Sequence, residues 1–448
     1  FSFYEVLFGG FWFSFLFHLL LLRWVNTFGF IPWFVLSLAE GIGSSVFWLW
    51  LRRLVAGSPL RVAVFAPSLW VFYEYFRTLG DIGFPWTALA YATSTWLPFI
   101  QISSCVGMYG CIFLIVLVNA SLFLLFHTIF FSLTQRRLLL PSYPTGLHLA
   151  YSLMGLVLFC ANYLYGIHKL NQEYKGAEVR IAVGQLKYQS SLQPSGEEIG
   201  RWADEYRKIV EQAKAEDVEL LVLPESFLEI PDYENSSIEK IWKEWLRGSR
   251  MSVLYGAAWS VLNEKGEITP VYVSYHLVDG KKRRGRVDKA RLVPFGEYVP
   301  LRSLLVRIFP YPWGQQDYQR GKARKPLWWK NHRIGVLVCF ETLFPQDARY
   351  WAVRGAEILF SGTNSSWFGS SPATEQMAKF EVFRAVETGL YFVRAGTGGI
   401  SSIIHPSGKI LAWLPQFTTG FKVQNVHFLA SQTIYTLLGD WLPRLCLS

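Results

Sequence analysis

Ile334-Gly335-Val336-Leu337-Val338-Cys339-Phe340-Glu341 opens with five residues that carry no polar side chain and closes on a thiol, a ring and a carboxylate. A short apolar run of this kind reads as a strand buried on both faces. The end of such a strand is where an α/β sheet presents its active groups. Outward from this stretch the pattern repeats. Positions 179–183, 220–223, 253–256, 271–277, 358–360, 390–395 and 400–405 read as further strands. Between them, 197–213 places Trp202, Tyr206, Ile209, Val210 and Ala213 at helical spacing, and 345–354 and 375–388 also suit helices. Positions 281–286 read as a basic surface loop. Helices alternating with strands predict an α/β sandwich over 175–425.

The part before it has a different composition. Of 448 residues 51% are hydrophobic and 17% charged, against about 25% charged in an ordinary soluble domain. Only 11 of the charged residues lie in 1–167, and none of these is Lys. From 82 to 135 there is no Asp, Glu, Lys or Arg. A membrane-spanning helix needs about 20 mostly apolar residues. Five stretches qualify, near 3–22, 30–51, 61–78, 100–127 and 146–167. The first has no basic leader or small-residue cleavage site, so it does not read as a signal peptide. We therefore expect a transmembrane α-helical region over 1–168, followed by the sandwich. Residues 426–448 read as the approach to a further membrane helix. This composition excludes a disordered chain, a collagen-like fibre and a disulfide scaffold.

Arg52, Arg53 and Arg61 fall between the second and third stretches, and Arg136 and Arg137 between the fourth and fifth. The positive-inside rule makes both loops cytoplasmic. The sandwich is then expected on the opposite, extracytoplasmic side. The net charge of +10 reads as topology or lipid phosphate contact rather than nucleic-acid binding. Glu74 and Arg77 are expected to pair, since a charge in a spanning helix needs a partner. Gly83-Phe84-Pro85-Trp86 reads as an interfacial anchor or as a loop facing substrate.

Cys105, Cys111 and Cys160 lie in the apolar stretches and Cys446 near the chain end, leaving Cys339 in the sandwich. With no CxxC, HExxH or Cys/His cluster, no metal site and no cofactor are expected. A thiol nucleophile needs a base or a lowered pKa. The eight His residues carry no motif, so a strand-end carboxylate is the better base, and Glu225 after Leu221-Val222-Leu223-Pro224 is the clearest. Taken singly, Cys339 also reads as a structural core residue, Glu225 as a solvated loop acid and Lys289 as part of a basic loop.

Together, Leu223-Pro224-Glu225, Lys289 and Val338-Cys339-Phe340-Glu341 resemble the nitrilase superfamily, in whose order they stand. The resemblance implies an α-β-β-α sandwich with a Glu-Lys-Cys triad. A nitrilase-like domain following apolar helices resembles the apolipoprotein N-acyltransferases, and the resemblance covers nearly the whole chain. Its most specific stretch is Leu292-Val293-Pro294-Phe295-Gly296-Glu297-Tyr298-Val299-Pro300. Gly83-Phe84-Pro85-Trp86, Thr363-Asn364, Trp367-Phe368-Gly369 and Phe383-Arg384-Ala385-Val386-Glu387 add to it. That family has eight spanning helices; by this reading the sequence starts near the third and stops before the last. Phe340 stands where the family usually has Tyr, Ser365 where it has Asp, and Gly396-Thr397-Gly398 in place of a Thr-Asn turn. At Leu192-Gln193 the family's Lys-Trp pair has no counterpart.

What the resemblance implies is an acyltransferase of the bacterial inner membrane with its catalytic domain on the periplasmic side. A phospholipid, typically phosphatidylethanolamine, would donate its sn-1 chain to Cys339 as a thioester. The α-amine of a diacylglyceryl-cysteine lipoprotein would accept it. Glu225 would be the base and Lys289 the oxyanion partner. Glu297, Glu341 and Phe340 would support them, and Trp86, Tyr298, Asn364 and Trp367 are candidates for binding substrate. Phe309, Tyr311 and Trp313 would belong to an apolar lid. The alternatives are a membrane-tethered C–N hydrolase and an inactive scaffold; a transporter fits the large hydrophilic domain poorly.

Overall fold

The computed structural model describes residues 2–55, 60–134, 145–187, 195–228, 231–232, 237–262, 268–279, 282–303, 317–322, 324–430 and 433–448. Arg136, Arg137, Lys281, Leu192, Gln193, Phe309, Tyr311 and Trp313 fall outside them. The chain divides into two compact units, one of residues 1–172 with 433–448 and the other of 173–432. The sandwich therefore runs past the expected boundary at 425, and 433–448 belongs to the helical unit as the short helices Ile434–Leu438 and Trp441–Leu447.

Among the described residues of the helical unit, four helices are long and apolar enough to cross a membrane: Phe3–Leu21, Phe30–Val55, Met108–Ile129 and Gly146–Leu170. Two expectations change. The third stretch forms the 17-residue helix Leu60–Phe76 rather than running to 78. The fourth begins at Met108 rather than 100, because the chain first makes two short turns, Leu97–Ile100 and Ser103–Val106. Gly107 breaks the path with φ +67, and a Cβ there would lie 2.8 Å from the Tyr435 ring. The expected pair forms, with Arg77 Nη1 donating to Glu74 at 2.9 Å. A second carboxylate, Glu40, lies 3.1 Å from Arg77 Nε. Arg77 also donates to the Phe84 carbonyl at 3.0 Å, which fixes the loop carrying Trp86.

The sandwich contains strands β1 (Glu178–Gln185), β2 (Leu220–Val222), β3 (Pro231–Asp232), β4 (Ser252–Leu262), β5 (Ile268–Asp279), β6 (Lys282–Asp288), β7 (Leu327–Trp329), β8 (His332–Val338), β9 (Ile358–Asn364), β10 (Phe392–Thr397), β11 (Ser401–Ile404), β12 (Ile410–Leu414) and β13 (Gly420–His427). One sheet runs β13-β1-β2-β4-β5-β6, with β3 on β4; the other runs β12-β11-β10-β9-β8-β7. The strands that follow crossovers are parallel: β1-β2-β4 in the first sheet and β8-β9-β10 in the second. Tyr275 of β5 lies over Gly362 of β9, so the sheets face each other.

Helices cover both outer faces. Gly196–Ala215 starts with a capping box, Ser195 accepting from the Glu198 N–H while the Glu198 carboxylate accepts from the Ser195 N–H. Its five expected core residues, Trp202, Tyr206, Ile209, Val210 and Ala213, are all buried. They share a core with Trp242 and Trp245 of a helix that the spacing did not reveal, Ser237–Trp245. Pro345–Val353 and Ala373–Thr388 cover the second sheet. The expected basic loop at 281–286 is instead strand β6, paired antiparallel with β5. Its charges suit an edge strand, where they discourage pairing with another chain. Arg283 and Arg286 each stack on Trp259 at 4.6 Å.

Candidate active site

Glu225 follows β2, Lys289 follows β6 and Cys339 follows β8, so three strand ends supply the three expected groups. The turn at Glu225 is possible because β4 passes close beneath it. A Cβ on Gly256 would fall 2.2 Å from the Glu225 carbonyl oxygen, so only glycine fits. Cys339 sits in the left-handed region at φ +50. For a non-glycine residue that conformation costs on the order of 1–3 kcal/mol and is found where surrounding structure dictates it. It turns the chain from β8 directly into the helical turn Cys339–Leu343. The thiol is half-buried; Phe340, beside it, is buried and packs edge-on against Phe344.

Lys289 has no exposed surface, and its Nζ lies 3.2 Å from Glu225 and 2.5 Å from Glu297. Glu225 also accepts the Asn364 N–H at 2.9 Å, and Glu297 the Val293 N–H at 2.8 Å. Burial alone would lower the Lys289 pKa, but the Glu225 and Glu297 carboxylates hold it well above its ordinary value. Burial raises the Glu297 carboxyl against the opposing pull of Lys289. Burial also raises the Cys339 thiol, as does the Glu225 carboxylate, while Lys289 pulls it down. The site thus sets a thiol held above its ordinary pKa in the field of Lys289, whose ammonium lies between Glu225 and Glu297.

Glu341 is buried and anchors the constellation. It accepts from the Val338 N–H at 2.9 Å, the Ala290 N–H at 2.8 Å and the Arg291 N–H at 3.1 Å. One carboxylate so joins the strand before Cys339 to the segment after Lys289. Arg324 faces Glu341 at 3.4 Å and bonds Asp347 at 2.7 Å.

The substrate-binding candidates separate. Asn364 joins the site through its backbone, its side chain being engaged by Ser366. Tyr298 is on the same loop as Glu297, with Arg320 4.8 Å above its ring. Trp367 is exposed, on the turn Ser366–Phe368. Trp86 belongs to the helical unit, stacks on Phe84 and packs at a tilt against Trp24. Sequence reasoning missed Tyr275, whose hydroxyl donates to the Leu223 carbonyl at 2.9 Å, two residues before Glu225. It also passed over Arg394, a charge inside an otherwise apolar strand, which was the available signal. Among the described residues no group of His, Cys, Asp or Glu could hold a metal ion.

Residues 180–429 match the family model for carbon–nitrogen hydrolases, and residues 2–121 that of the apolipoprotein N-acyltransferase N-terminal domain. An apolipoprotein N-acyltransferase of Geobacter metallireducens is 31% identical over 440 residues, covering 95% of this chain and 81% of that protein. One from Pseudomonas aeruginosa is 29% identical over 415 residues, covering 88% and 74%. A solved amidase of the nitrilase superfamily from Nesterenkonia AN1 aligns with 60% of this chain and 95% of its own at 18% identity and a TM-score of 0.42, a likeness too loose to add to the fold assignment.

Proposed function

The chain belongs to the carbon–nitrogen hydrolases, in the branch of the apolipoprotein N-acyltransferases, and we propose that it transfers an acyl chain in two steps through a thioester on Cys339. It is a membrane-associated acyltransferase of lipoproteins. The observation that carries the two-step reading is the Glu225–Lys289–Glu297 chain, centred on a wholly buried Lys289, beside a thiol held on a left-handed turn.

In the first step the Cys339 sulfur attacks the sn-1 ester carbonyl of a phospholipid, phosphatidylethanolamine being the expected donor. Glu225 takes the thiol proton as the carbon–sulfur bond forms. Lys289 faces the oxyanion that develops, and its fixed ammonium needs no reorganisation. The carbon–oxygen bond then breaks, and Glu225 returns the proton to the departing lysophospholipid. In the second step the α-amine of a diacylglyceryl-cysteine lipoprotein attacks the thioester, giving up a proton to Glu225. The sulfur leaves and regains that proton, and the amide is released. A raised thiol pKa supports this order, because the thiolate then forms only as the proton is taken.

Glu297 holds Lys289 in place and Glu341 holds the two reacting segments together. Tyr298 and Trp367 are the proposed contacts for the apolar chains in the sandwich, and Trp86 is a separate proposed lipid contact within the helical unit. Arg52, Arg53 and Arg61 support a cytoplasmic side for the loop they flank, and so a periplasmic catalytic unit on the inner membrane.

The test is a single turnover. Full-length protein is incubated with phospholipid labelled in the sn-1 chain and quenched in acid. Hydroxylamine-labile label is expected on the wild type and not on Cys339→Ala. Absence of label on folded wild type would remove the thioester reading and leave hydrolysis of a small C–N substrate as the alternative.

A further inference from the structure

Arg394 is a buried cation with no counterpart in the scheme above. It lies on β10, is wholly inaccessible, and divides its guanidinium among three elements. Nε donates to the Ile400 carbonyl at 2.9 Å, across the turn after β10. Nη1 donates to Glu381 of helix Ala373–Thr388 at 2.6 Å. Nη2 reaches the Ser365 hydroxyl at 3.4 Å, just past the end of β9. Glu381 in turn accepts the Ser361 hydroxyl at 2.8 Å, closing a loop with β9.

These tethers converge on one active-site contact. Asn364, immediately before Ser365, gives its N–H to Glu225. Its place is set from two sides. Thr397 is its register partner on β10, and the Ser365 N–H donates to the Thr397 carbonyl at 3.1 Å. The turn carrying Thr397 is held shut by Arg394 through Ile400 and by the Ser401 hydroxyl, which accepts the Gly396 N–H at 3.0 Å. Ser401 passes the connection on to Gln185 of β1 at 2.6 Å. A buried ion pair is seldom worth its desolvation for stability alone, so its place beside the site calls for another reason.

We propose that Arg394 is a positioning residue for acyl transfer: by fastening the 396–400 turn and the Ser365 segment to helix Ala373–Thr388, it aims the Asn364 N–H at the Glu225 carboxylate. The inference rests on Glu225 acting as the base. Arginine suits the task because one planar guanidinium bonds in three directions at once, where an ammonium offers a single point. The Arg394 charge also falls on Cys339, together with those of Glu225, Lys289 and Glu297, and Tyr275 lies near the same thiol.

Two variants test it in full-length protein in detergent micelles, using sn-1-labelled phospholipid. Arg394→Lys keeps a charge for Glu381 but cannot span Ile400, Glu381 and Ser365 together. Arg394→Met/Glu381→Leu removes both charges, so no carboxylate is left buried without a partner. The melting temperature and the amplitude of labelled enzyme report how much protein is folded. The rate constant of acylation reports the alignment of the base.

For both variants we expect that rate constant to fall about 10- to 100-fold, with half-saturating phospholipid within about twofold of wild type. A purely structural role would lower the amplitude and leave the rate constant alone. Folded variants acylated as fast as wild type would overturn the assignment while leaving the thioester intact. An unlabelled wild type would overturn the reaction scheme itself and Arg394's part in it.

Discussion

At Cys339 the environment opposes ionisation, and this decides how the proposed nucleophile must work. Burial and the adjacent Glu225 carboxylate push the thiol above its ordinary range, and Lys289 only partly offsets them. A free thiol ionises near 8.5. An ultraviolet titration, taken as wild type minus Cys339→Ser, should therefore show no thiolate between about pH 7 and 9. Glu225→Gln removes the negative charge, so its thiolate should appear at lower pH than in wild type. The same variant should acylate about 10²- to 10⁴-fold more slowly, because the proposed base is gone. A variant that ionised more easily and also reacted faster would refute base catalysis. Cys339 and Glu225 were legible in the sequence because each closes an apolar run at a strand end. Tyr275 was not: it is one of several aromatics in a strand, and only the facing sheet shows that its hydroxyl supports the backbone before Glu225.

Between elements, Glu341 does more than its place two residues after Cys339 suggested. Its carboxylate serves three N–H donors on two segments. Glu341→Gln keeps one acceptor oxygen but turns an NH2 toward donors, leaving at least one of them unpaired at about 1–3 kcal/mol. We expect a lower melting temperature together with slower acylation; an unchanged rate in a destabilised variant would limit Glu341 to a structural role. Strand β5 shows a different division of labour. Its alternation sends Tyr275 toward the facing sheet and His276 toward the outer core. His276 is fully buried, 3.9 Å from Asp232, and burial together with Arg283 and Arg286 keeps its pKa well below 6.5. The unfolded chain takes up that proton as pH falls through about 6.5 and the folded chain does not, so stability declines by up to about 1.4 kcal/mol per pH unit. His276→Gln should flatten that acid limb in thermal melts between about pH 4 and 6.5, and a limb of equal slope would place its cause elsewhere. Neither β6 nor helix Ser237–Trp245 could be read in advance. The first hides under a run of edge-strand charges. The second keeps its apolar face on two tryptophans and two isoleucines over only nine residues.

For the whole molecule, the division into a helical unit and a sandwich was legible because most of the charge lies in one of them. What charge distribution could not settle is the number of crossings. Leu60–Phe76 has 17 residues, so it spans about 25 Å against a hydrocarbon core of about 30 Å. A deficit of that size costs only fractions of a kcal/mol per Å when the bilayer thins to meet it. The count matters through its parity. If Leu60–Phe76 crosses, the segments after Met108–Ile129 and Gly146–Leu170 deliver the sandwich to the side opposite Arg52 and Arg53. If it does not, the sandwich shares their side and cannot meet lipoproteins in the periplasm. The buried pair of Arg77 with Glu74 allows the crossing, since it matches with a cation the one carboxylate that Leu60–Phe76 would carry into lipid. Arg53→Cys and Glu173→Cys, compared with the unsubstituted chain, should therefore label oppositely with a membrane-impermeant maleimide. Glu173→Cys should react in intact spheroplasts and Arg53→Cys only in inverted vesicles. Labelling of both from the same side would remove the crossing at Leu60–Phe76 and, with it, the periplasmic placement of the catalytic unit.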